Sequence, residues 1–271
     1  MSSIGQIIFY SMVVLIIVFS ALIIIFLSIA GVRGTQGSVE SNDTSPVGNL
    51  GEDVVLSCSL TLASASDVAI TWTKKGLSGV VYRYANGAAQ LEEQNAQFRD
   101  RTQLFTSAAA TGSASLLLSS VRVSDEGQYI CSVSASRGRG MVTIHLRVAA
   151  FSAPTFLIEG VDILTAKAQK WSPKPNVTWM EFNGKILNGN TSFSNNSAGI
   201  YNLVSSLQPV TNSTYSCLIQ NSLVKAFSEA TIKGTEIFER TAFVYTSTST
   251  SLRPELLSVK ASFILWICQR G

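Results

Sequence analysis

The hydrophobic pattern divides the chain into an apolar leader and a long region of short alternating runs. Residues 7–32 contain no charge, and at about 1.5 Å per residue such a segment is long enough to cross a bilayer as a helix. After it, apolar and polar residues alternate over a few positions at a time, between clusters of Gly, Ser and Asn. This period of two is typical of half-buried strands. The pattern predicts an N-terminal helix followed by an all-β region.

Two interpretations of the leader, residues 1–30, stay open. Ser28-Ile29-Ala30 supplies the small residues that precede a signal-peptidase cut, which predicts a cleaved signal peptide. The apolar run is longer than the usual stretch of about 7 to 15 residues and has no Lys or Arg before it, which favours a retained signal-anchor helix. Arg33 follows the run, and the positive-inside rule would place that flank in the cytosol without a cut, so cleavage is preferred.

Three residues of the first alternating region have the spacing of a variable-type immunoglobulin sandwich. Trp72 lies 14 residues after Cys58 and 59 residues before Cys131. In that fold two cysteines on facing sheets form a disulfide across the core, and an indole packs on the bond. The four cysteines of the chain allow three pairings. We expect Cys58 to pair with Cys131, which leaves Cys217 and Cys268 unpaired.

Other residues acquire structural roles in this plan. Tyr129, two positions before the second cysteine, is placed to form a tyrosine corner, in which its hydroxyl binds upstream backbone. Arg101 and Asp125 are expected to form an ion pair across the base of the sandwich. Gly138 and Gly140 are expected to form a bulge that opens the last strand, because such bulges use positive φ angles.

A second copy of the pattern follows a short linker at 151–154, with the tighter spacing of a constant-type sandwich. Trp179 and Cys217 are 38 residues apart, and Tyr215 again lies two positions before the cysteine. The partner cysteine is expected about 13 residues before Trp179, where the chain has Ala166. We therefore expect Cys217 to be a buried free thiol.

The predicted fold class is all-β: two tandem immunoglobulin-like β-sandwiches, variable-type then constant-type, after an N-terminal apolar helix. After the leader we expect a linker at 31–48, the variable-type domain at 49–149, the constant-type domain at 151–236, and a stalk with a short apolar tail at 237–271. The apolar run of the tail is far shorter than the ~20 residues of a membrane span. Membrane attachment is expected through the N-terminal helix or this tail.

Five Asn-x-Ser/Thr sequons are candidate N-glycosylation sites: Asn42, Asn176, Asn190, Asn195 and Asn212. Together with the leader they predict that the chain enters the secretory pathway. Four of the five lie in the second predicted domain. This asymmetry favours the first domain as a recognition head and the second as a glycosylated stalk.

Composition argues against catalysis and against nucleic acid as a partner. The 20 basic and 17 acidic residues leave a net charge of +3, and charged residues make up 14% of the chain. The single histidine, His145, lies in an alternating run, where a strand-surface position is expected rather than a general base. The chain has no phosphate-binding loop motif. We expect no enzyme activity, no cofactor, no metal and no small-molecule substrate.

A receptor-binding face is predicted on the exposed sheet of the first domain. Basic side chains that this sheet and its loops would bring together, with two tyrosines as aromatic anchors, suggest a partner that carries an acidic patch. The alternative interpretation is a solvated basic edge with tyrosines in the core. The face residues proposed on the first interpretation are Lys74, Tyr82, Arg83, Tyr84, Arg137 and Arg139.

Six segments of the chain resemble the B-seven/butyrophilin group of T-cell costimulatory and coinhibitory ligands. They are GEDVVLSC (51–58), FRDRTQLF (98–105), ASLLLSSVRVSDEGQYIC (114–131), FSAP (151–154), WSPKPNVTW (171–179) and NSTYSC (212–217). WSPKPNVTW is similar to the constant-type domain of this group rather than to immunoglobulin domains in general. Ala166 departs from the group, and so does the short tail, since members of the group end in a membrane helix or a lipid-anchor signal.

The resemblance implies a ligand on the external side of the plasma membrane that binds a protein receptor on T cells. It further implies that the ligand negatively regulates T-cell activation, proliferation and cytokine production. Two alternatives stay open on the residues alone. One is an immunoglobulin-type cell-adhesion protein, and the other is a secreted decoy form.

Overall fold

The computed structural model describes residues 3–32, 38–60, 67–104, 112–136 and 138–246, without the side chains of 3–8, 26–32 and 138. The leader forms one helix, α1 (Ser3–Val32), as its uncharged sequence predicts. Among the residues whose side chains are described, no helix is both long and apolar enough to span a membrane. The expected apolar tail and Cys268 lie outside the described residues.

The first sandwich is built from short strands and two single-turn 3-10 helices, Ala96–Phe98 and Val123–Asp125. Its strands are β1 (Val39–Glu40), β2 (Val47–Asn49), β3 (Val54–Leu56), β4 (Ser59–Leu60), β5 (Ala69–Lys74), β6 (Tyr82–Ala85), β7 (Ala88–Ala89), β8 (Thr102–Leu104), β9 (Leu116–Leu118), β10 (Gly127–Ala135) and β11 (Gly138–Ala149).

Two sheets face each other in this sandwich. The front sheet has the order β2-β11-β10-β5-β6-β7 and the back sheet the order β3-β9-β8, with β1 and β4 paired beside them. The strand β2 runs parallel to β11, and the other pairs are antiparallel. The first strands, β1 and β2, begin inside the segment expected to be a linker.

A disulfide and an indole fill the centre of the first sandwich. Cys58 and Cys131 are joined, as predicted, and both are fully buried. Trp72 pairs with Cys131 in the strand register, and its Nε1 donates to the backbone oxygen of Ala114 at 3.0 Å. The bond therefore links the front sheet covalently to the strand segment next to the back sheet, with the indole against it.

Polar groups close the base of the sandwich. Arg101 donates to both carboxylate oxygens of the fully buried Asp125, and the hydroxyl of Tyr129 donates to the backbone oxygen of Asp125 at 2.7 Å. Burial alone would raise the pKa of Asp125, but hydrogen bonds from Arg101, Gln97 and the backbone N–H of Arg122 outweigh it and hold that pKa below its usual value. The tyrosine is thus tied to the same carboxylate-bearing turn that the arginine holds.

The expected bulge at Gly138 and Gly140 is not formed. The pairing of β10 with β11 is continuous to Ala135 and Gly138, and Gly140 does not have a positive φ. A Cβ added at Gly140 would lie 2.8 Å from a methyl carbon of Val39. The glycine is therefore required by the close approach of β1 and not by backbone conformation.

The second sandwich also pairs two sheets, with the orders β12-β13-β17-β16 and β15-β14-β18-β19-β20. Its strands are β12 (Thr155–Glu159), β13 (Ile163–Trp171), β14 (Asn176–Glu181), β15 (Ile186–Leu187), β16 (Asn190–Asn195), β17 (Tyr201–Leu207), β18 (Thr214–Gln220), β19 (Val224–Lys233) and β20 (Glu236–Tyr245). The predicted fold class of two tandem sandwiches after an apolar helix is confirmed.

The core of the second sandwich holds a free cysteine. Cys217 has no disulfide partner among the described residues, and burial raises the pKa of its thiol to about 12. Ala166 is fully buried in the same core. The indole of Trp179 donates to the hydroxyl oxygen of Ser205 at 2.8 Å, and the hydroxyl of Tyr215 accepts the backbone N–H of Thr211 at 2.9 Å. Packing and these buried hydrogen bonds take the place of a covalent link.

The segment expected to be a stalk begins with a strand. Residues 236–245 form β20, which pairs with β19 along its whole length. The sheet therefore continues past residue 236, where the sequence suggested that the second domain ends. The reason is local: a turn at 234–235, with Gly234 at a φ of 64°, reverses the chain directly into an alternating sequence.

The two sandwiches meet through β20 and the end of β11. The guanidinium of Arg147 donates to the backbone oxygens of Ser45 and Thr246. The ring of Phe151 packs on Phe243, with ring centroids 5.2 Å apart. These contacts connect the last strand of the second sandwich to the first sandwich.

The buried ion pair makes a testable contribution to stability. We expect Asp125→Asn to lower the free energy of unfolding by about 3–5 kcal/mol at pH 7, because it leaves the Arg101 charge buried without its partner. The folded pKa of Asp125 is depressed, so its contribution is present above the unfolded value of about 3.9 and is lost as the pH falls through the folded value. Chemical denaturation between pH 7 and pH 2 measures both effects. Asp100→Asn, at an exposed position, is the control, and an equal effect of the two substitutions would contradict the prediction.

The free thiol offers a second test. We expect Ala166→Cys to form a disulfide with Cys217 and to raise the free energy of unfolding by about 2–4 kcal/mol. Peptide mapping checks the bond and thermal melting checks the gain, which should disappear in reductant. Recovery of both residues as free thiols would show that the two positions do not face each other.

Candidate binding face

The front sheet turns one side into the core and the other to solvent, because side chains alternate along each strand. Cys131 and Ile144 are buried, so residues of the opposite parity in β10 and β11 point outward. We define the front face as the outward residues of the central strands: Thr71, Thr73, Arg83, Gln128, Ile130, Ser132, Ser134, Arg139, Met141, Thr143 and His145.

The strand register arranges these residues in rows. Met141 lies opposite Ser132, Ser132 opposite Thr71, and Thr71 opposite Arg83. Directly opposed side chains are about 5 Å apart in such sheets. Met141 is 70% exposed, so one flexible apolar side chain stands among small polar ones.

A neighbouring row supplies a second apolar group. Ile130 lies opposite Thr143 on one side and Thr73 on the other, and it is partly exposed. Ile130 and Met141 therefore sit on adjacent rows, Ile130 on the inner strand β10 and Met141 at the β11 end of its row. The surroundings are threonine and serine hydroxyls, which suit a contact surface with an apolar centre and a polar rim.

Lys74 does not lie on this face, contrary to the prediction. It shares strand parity with the buried Trp72, and only 8% of it is exposed. Its Nζ donates to the backbone oxygen of Ser124 and lies 5.6 Å from the ring centroid of Tyr129. Burial lowers the pKa of Lys74, and the negative charges of Asp125 and Glu126 only partly offset this effect. Its place is at the base of the sandwich.

The two tyrosines of β6 also point inward. Tyr82 lies opposite Trp72 and Tyr84 opposite Ile70, so both share the core parity. Tyr82 is 8% exposed, burial raises the pKa of its hydroxyl, and Tyr84 packs against the same core. Neither residue is an aromatic anchor on the front face, so the alternative interpretation of core tyrosines applies.

The arginines expected on the face do not form a basic cluster. Arg83 faces solvent, and its guanidinium lies 3.7 Å from the carboxylate of Glu93. Arg139 is exposed at the other side of the sheet, and Arg137 lies outside the described residues. The predicted acidic partner therefore has little concentrated charge to meet on the described part of the face.

Met141 and Ile130 are the large apolar residues of the front face that the prediction omitted. Strand parity alone could have found them, because an inward Cys131 requires Ile130 and Ser132 to point outward. Residue type alone pointed to basic and aromatic side chains, several of which strand parity turns inward. That the front sheet binds a receptor stays a prediction, whereas Lys74, Tyr82 and Tyr84 face the core and not this side of the sheet.

Comparison with known proteins places the first sandwich in a described family. Residues 41–149 match the immunoglobulin V-set domain. The chain is 34% identical to human V-set domain-containing T-cell activation inhibitor 1 over 262 residues, which cover 93% of this chain and 92% of that protein. The chain belongs to the family of V-set domain-containing T-cell activation inhibitor 1. The rat protein of the same name is likewise 34% identical over 250 residues, covering 89% of this chain and 88% of that one.

The resemblance to the B-seven/butyrophilin group is confirmed by these relatives. A crystal structure of bovine butyrophilin is also similar, with a TM-score of 0.48 and 23% identity over 78% of this chain and 99% of that one. The V-set match begins at residue 41, within the expected linker, and so includes β2.

The sequon asparagines of this family member are all on the surface. Asn42, Asn176, Asn190, Asn195 and Asn212 are exposed, and none belongs to the front face. Their attachment of sugar stays a prediction. An N-glycosylated asparagine has to lie on the surface, so the structure is compatible with all five sites.

The burial of Lys74 leads to a test of its contribution to stability. We expect Lys74→Met to lower the free energy of unfolding by about 1–2 kcal/mol, because it removes a charged hydrogen bond and a cation–π contact but keeps most of the packing. Lys75→Met, at the neighbouring exposed position, should change stability by less than about 0.5 kcal/mol. Thermal or chemical denaturation compares them, and the reverse order would place Lys74 on the surface.

Proposed function

We propose that this chain is a ligand that binds a protein receptor on T cells through the front face and lowers T-cell activation, proliferation and cytokine production. The observation that carries the proposal is the 34% identity to human V-set domain-containing T-cell activation inhibitor 1 across 92% of that protein. The match covers 93% of this chain and so includes both sandwiches, which supports a shared role.

We propose further that the ligand acts on the external side of the plasma membrane. The buried disulfide supports this location, because structural disulfides persist in oxidising compartments such as the secretory lumen. The five exposed sequons and the apolar leader support the same route. Attachment through the leader or the tail is part of the proposal.

The chemistry of the front face supports protein recognition. This face combines Met141 and Ile130 with threonine and serine hydroxyls, and methionine adapts its shape to a partner because its side chain is unbranched and polarisable. Its arginines lie toward the edges, where one of them, Arg83, already has an acidic neighbour. Recognition by shape and apolar contact therefore fits this surface better than steering by charge.

The test uses the full chain displayed on cells that stimulate T cells. We expect Met141→Arg to weaken the inhibition of T-cell division and cytokine release at least about tenfold in ligand density, because a long charged side chain replaces an exposed apolar one in the proposed contact. Cell-surface staining checks that the variant reaches the surface at the same level.

A matched control lies on the other side of the same sandwich. Val55 is 43% exposed on the back sheet, and Val55→Arg should leave inhibition unchanged. Loss of inhibition with Val55→Arg and retention with Met141→Arg would assign recognition to the back sheet. Cell aggregation without a T-cell response would favour adhesion instead.

A further inference from the structure

The last strand, β20, forms one edge of a sheet in the second sandwich. It pairs with β19 over ten residues without a shift in register. Among the described residues, no strand pairs with its other side. Within the described part of the chain, β12 approaches β20 without pairing with it, so this edge is regular, long and unpaired there. It lies in a part of the chain that the proposed function does not use.

The pairing identifies which backbone groups point away from the sheet. The N–H of Thr246 donates to the backbone oxygen of Leu223 at 2.9 Å, so even-numbered residues of β20 point their backbone groups toward β19. The alternation of an antiparallel ladder then directs the N–H and C=O of the odd-numbered residues outward. They are Ile237, Glu239, Thr241, Phe243 and Tyr245.

The two edges on this side of the sandwich differ. The edge of β12 is occupied at one point, since the backbone N–H of Phe156 donates to Oε2 of Glu239 at 3.0 Å. Glu239 thus reaches from β20 to the neighbouring strand. No backbone hydrogen bond joins β12 to β20 among the described residues.

β20 has only some of the usual guards of an edge strand. Natural edges are protected by charged side chains, Lys above all, by Pro or by a bulge. The sequence EIFERTAFVY contains no Pro, Lys or Gly, and its charged residues are Glu236, Glu239 and Arg240. Its arginine, Arg240, is held by Glu229 of β19, with Nε 2.7 Å from Oε2. Phe238 and Val244 are 55% and 45% exposed on the outer surface. The edge combines free backbone groups with apolar side chains.

We propose that a second copy of this chain pairs with β20 edge to edge, in antiparallel orientation about a two-fold axis. Such a contact is isologous, so the same outward donors and acceptors meet on both copies. The sheets of two second sandwiches would then join into one continuous sheet. The proposal does not depend on the receptor-binding role.

Charge selects the register of this pairing. Centring the axis on Arg240 or on Glu239 would oppose two like charges, which is unfavourable for directly facing pairs. Centring it on Thr241 avoids both and overlaps nine residues. In that register Phe238 of each copy lies opposite Val244 of the other, so two apolar pairs form on the outer surface.

The contact is expected to be weak. Stable interfaces bury about 800 Å² on each partner, and one strand edge buries less. We expect a dissociation constant on the order of 10 µM. Self-association of this strength depends on the local concentration of the protein, which is highest when the copies are on the surface of one cell.

The experiment is sedimentation equilibrium of the full chain in density-matched detergent micelles. We expect Phe238→Lys and Val244→Glu each to weaken the dimer at least about tenfold, because each loses both apolar pairs. Combining the two substitutions places an introduced lysine opposite an introduced glutamate at both pairs. The double variant should recover the dimer at low salt and lose it again at high salt.

Phe227→Lys is the matched control. Phe227 is 43% exposed on the same outer surface, but it belongs to β19 and not to the edge. It should leave the dimer unchanged, and melting temperatures should show that every variant is folded.

Three results would overturn the proposal. A chain that stays monomeric at about 100 µM has no such contact. A dimer that neither single change weakens, or that Phe227→Lys weakens equally, associates through another surface. A double variant that fails to recover the dimer shows that Phe238 and Val244 do not face each other across the contact, which overturns the proposed pairing.

Discussion

The disulfide between Cys58 and Cys131 determines which side of each strand in the first sandwich meets water. Its two sulfurs must lie between the sheets, so Ile130 and Ser132 on either side of Cys131 have to point outward. Pairing with β5 and β11 then carries the same choice across the front sheet. The bond spans 73 positions of sequence and contributes about 4 kcal/mol through loop closure, so it stabilises the fold as well as orienting the face.

Spacing in the sequence was sufficient for residues whose roles depend on position along the chain. The intervals among Cys58, Trp72 and Cys131 identify a sandwich because, in this fold, a tryptophan that lies between the two cysteines in sequence packs on their disulfide. Arg101 and Asp125 meet for a similar reason, since both occupy turns at one end of the strands. The structure has each of these residues in the core or at its base, and only the tertiary fold could add the further hydrogen bonds around Asp125.

Spacing was insufficient where a residue's role depends on its side of a strand or on a distant neighbour. Lys74 and Tyr82 have surface-compatible side chains, but parity with Trp72 turns them inward, where a long stem or a ring can still pack. Gly140 has an ordinary backbone conformation and is needed because β1 crosses beside it, a contact between segments about 100 positions apart. β20 was missed because apolar residues occur at both parities of its sequence, and its core-facing Ile237, Thr241 and Phe243 are only partly buried.

The junction at Arg147 has a consequence for how the molecule is held. The chain enters the second sandwich beside Phe151. It later runs away from this point along β19 and returns along β20 to Thr246, whose backbone oxygen accepts a hydrogen bond from Arg147. Any tether joined after Thr246 therefore starts beside the junction between the two sandwiches. This starting point lies at the opposite end of β20 from the turn at 234–235, which forms the far end of the second sandwich.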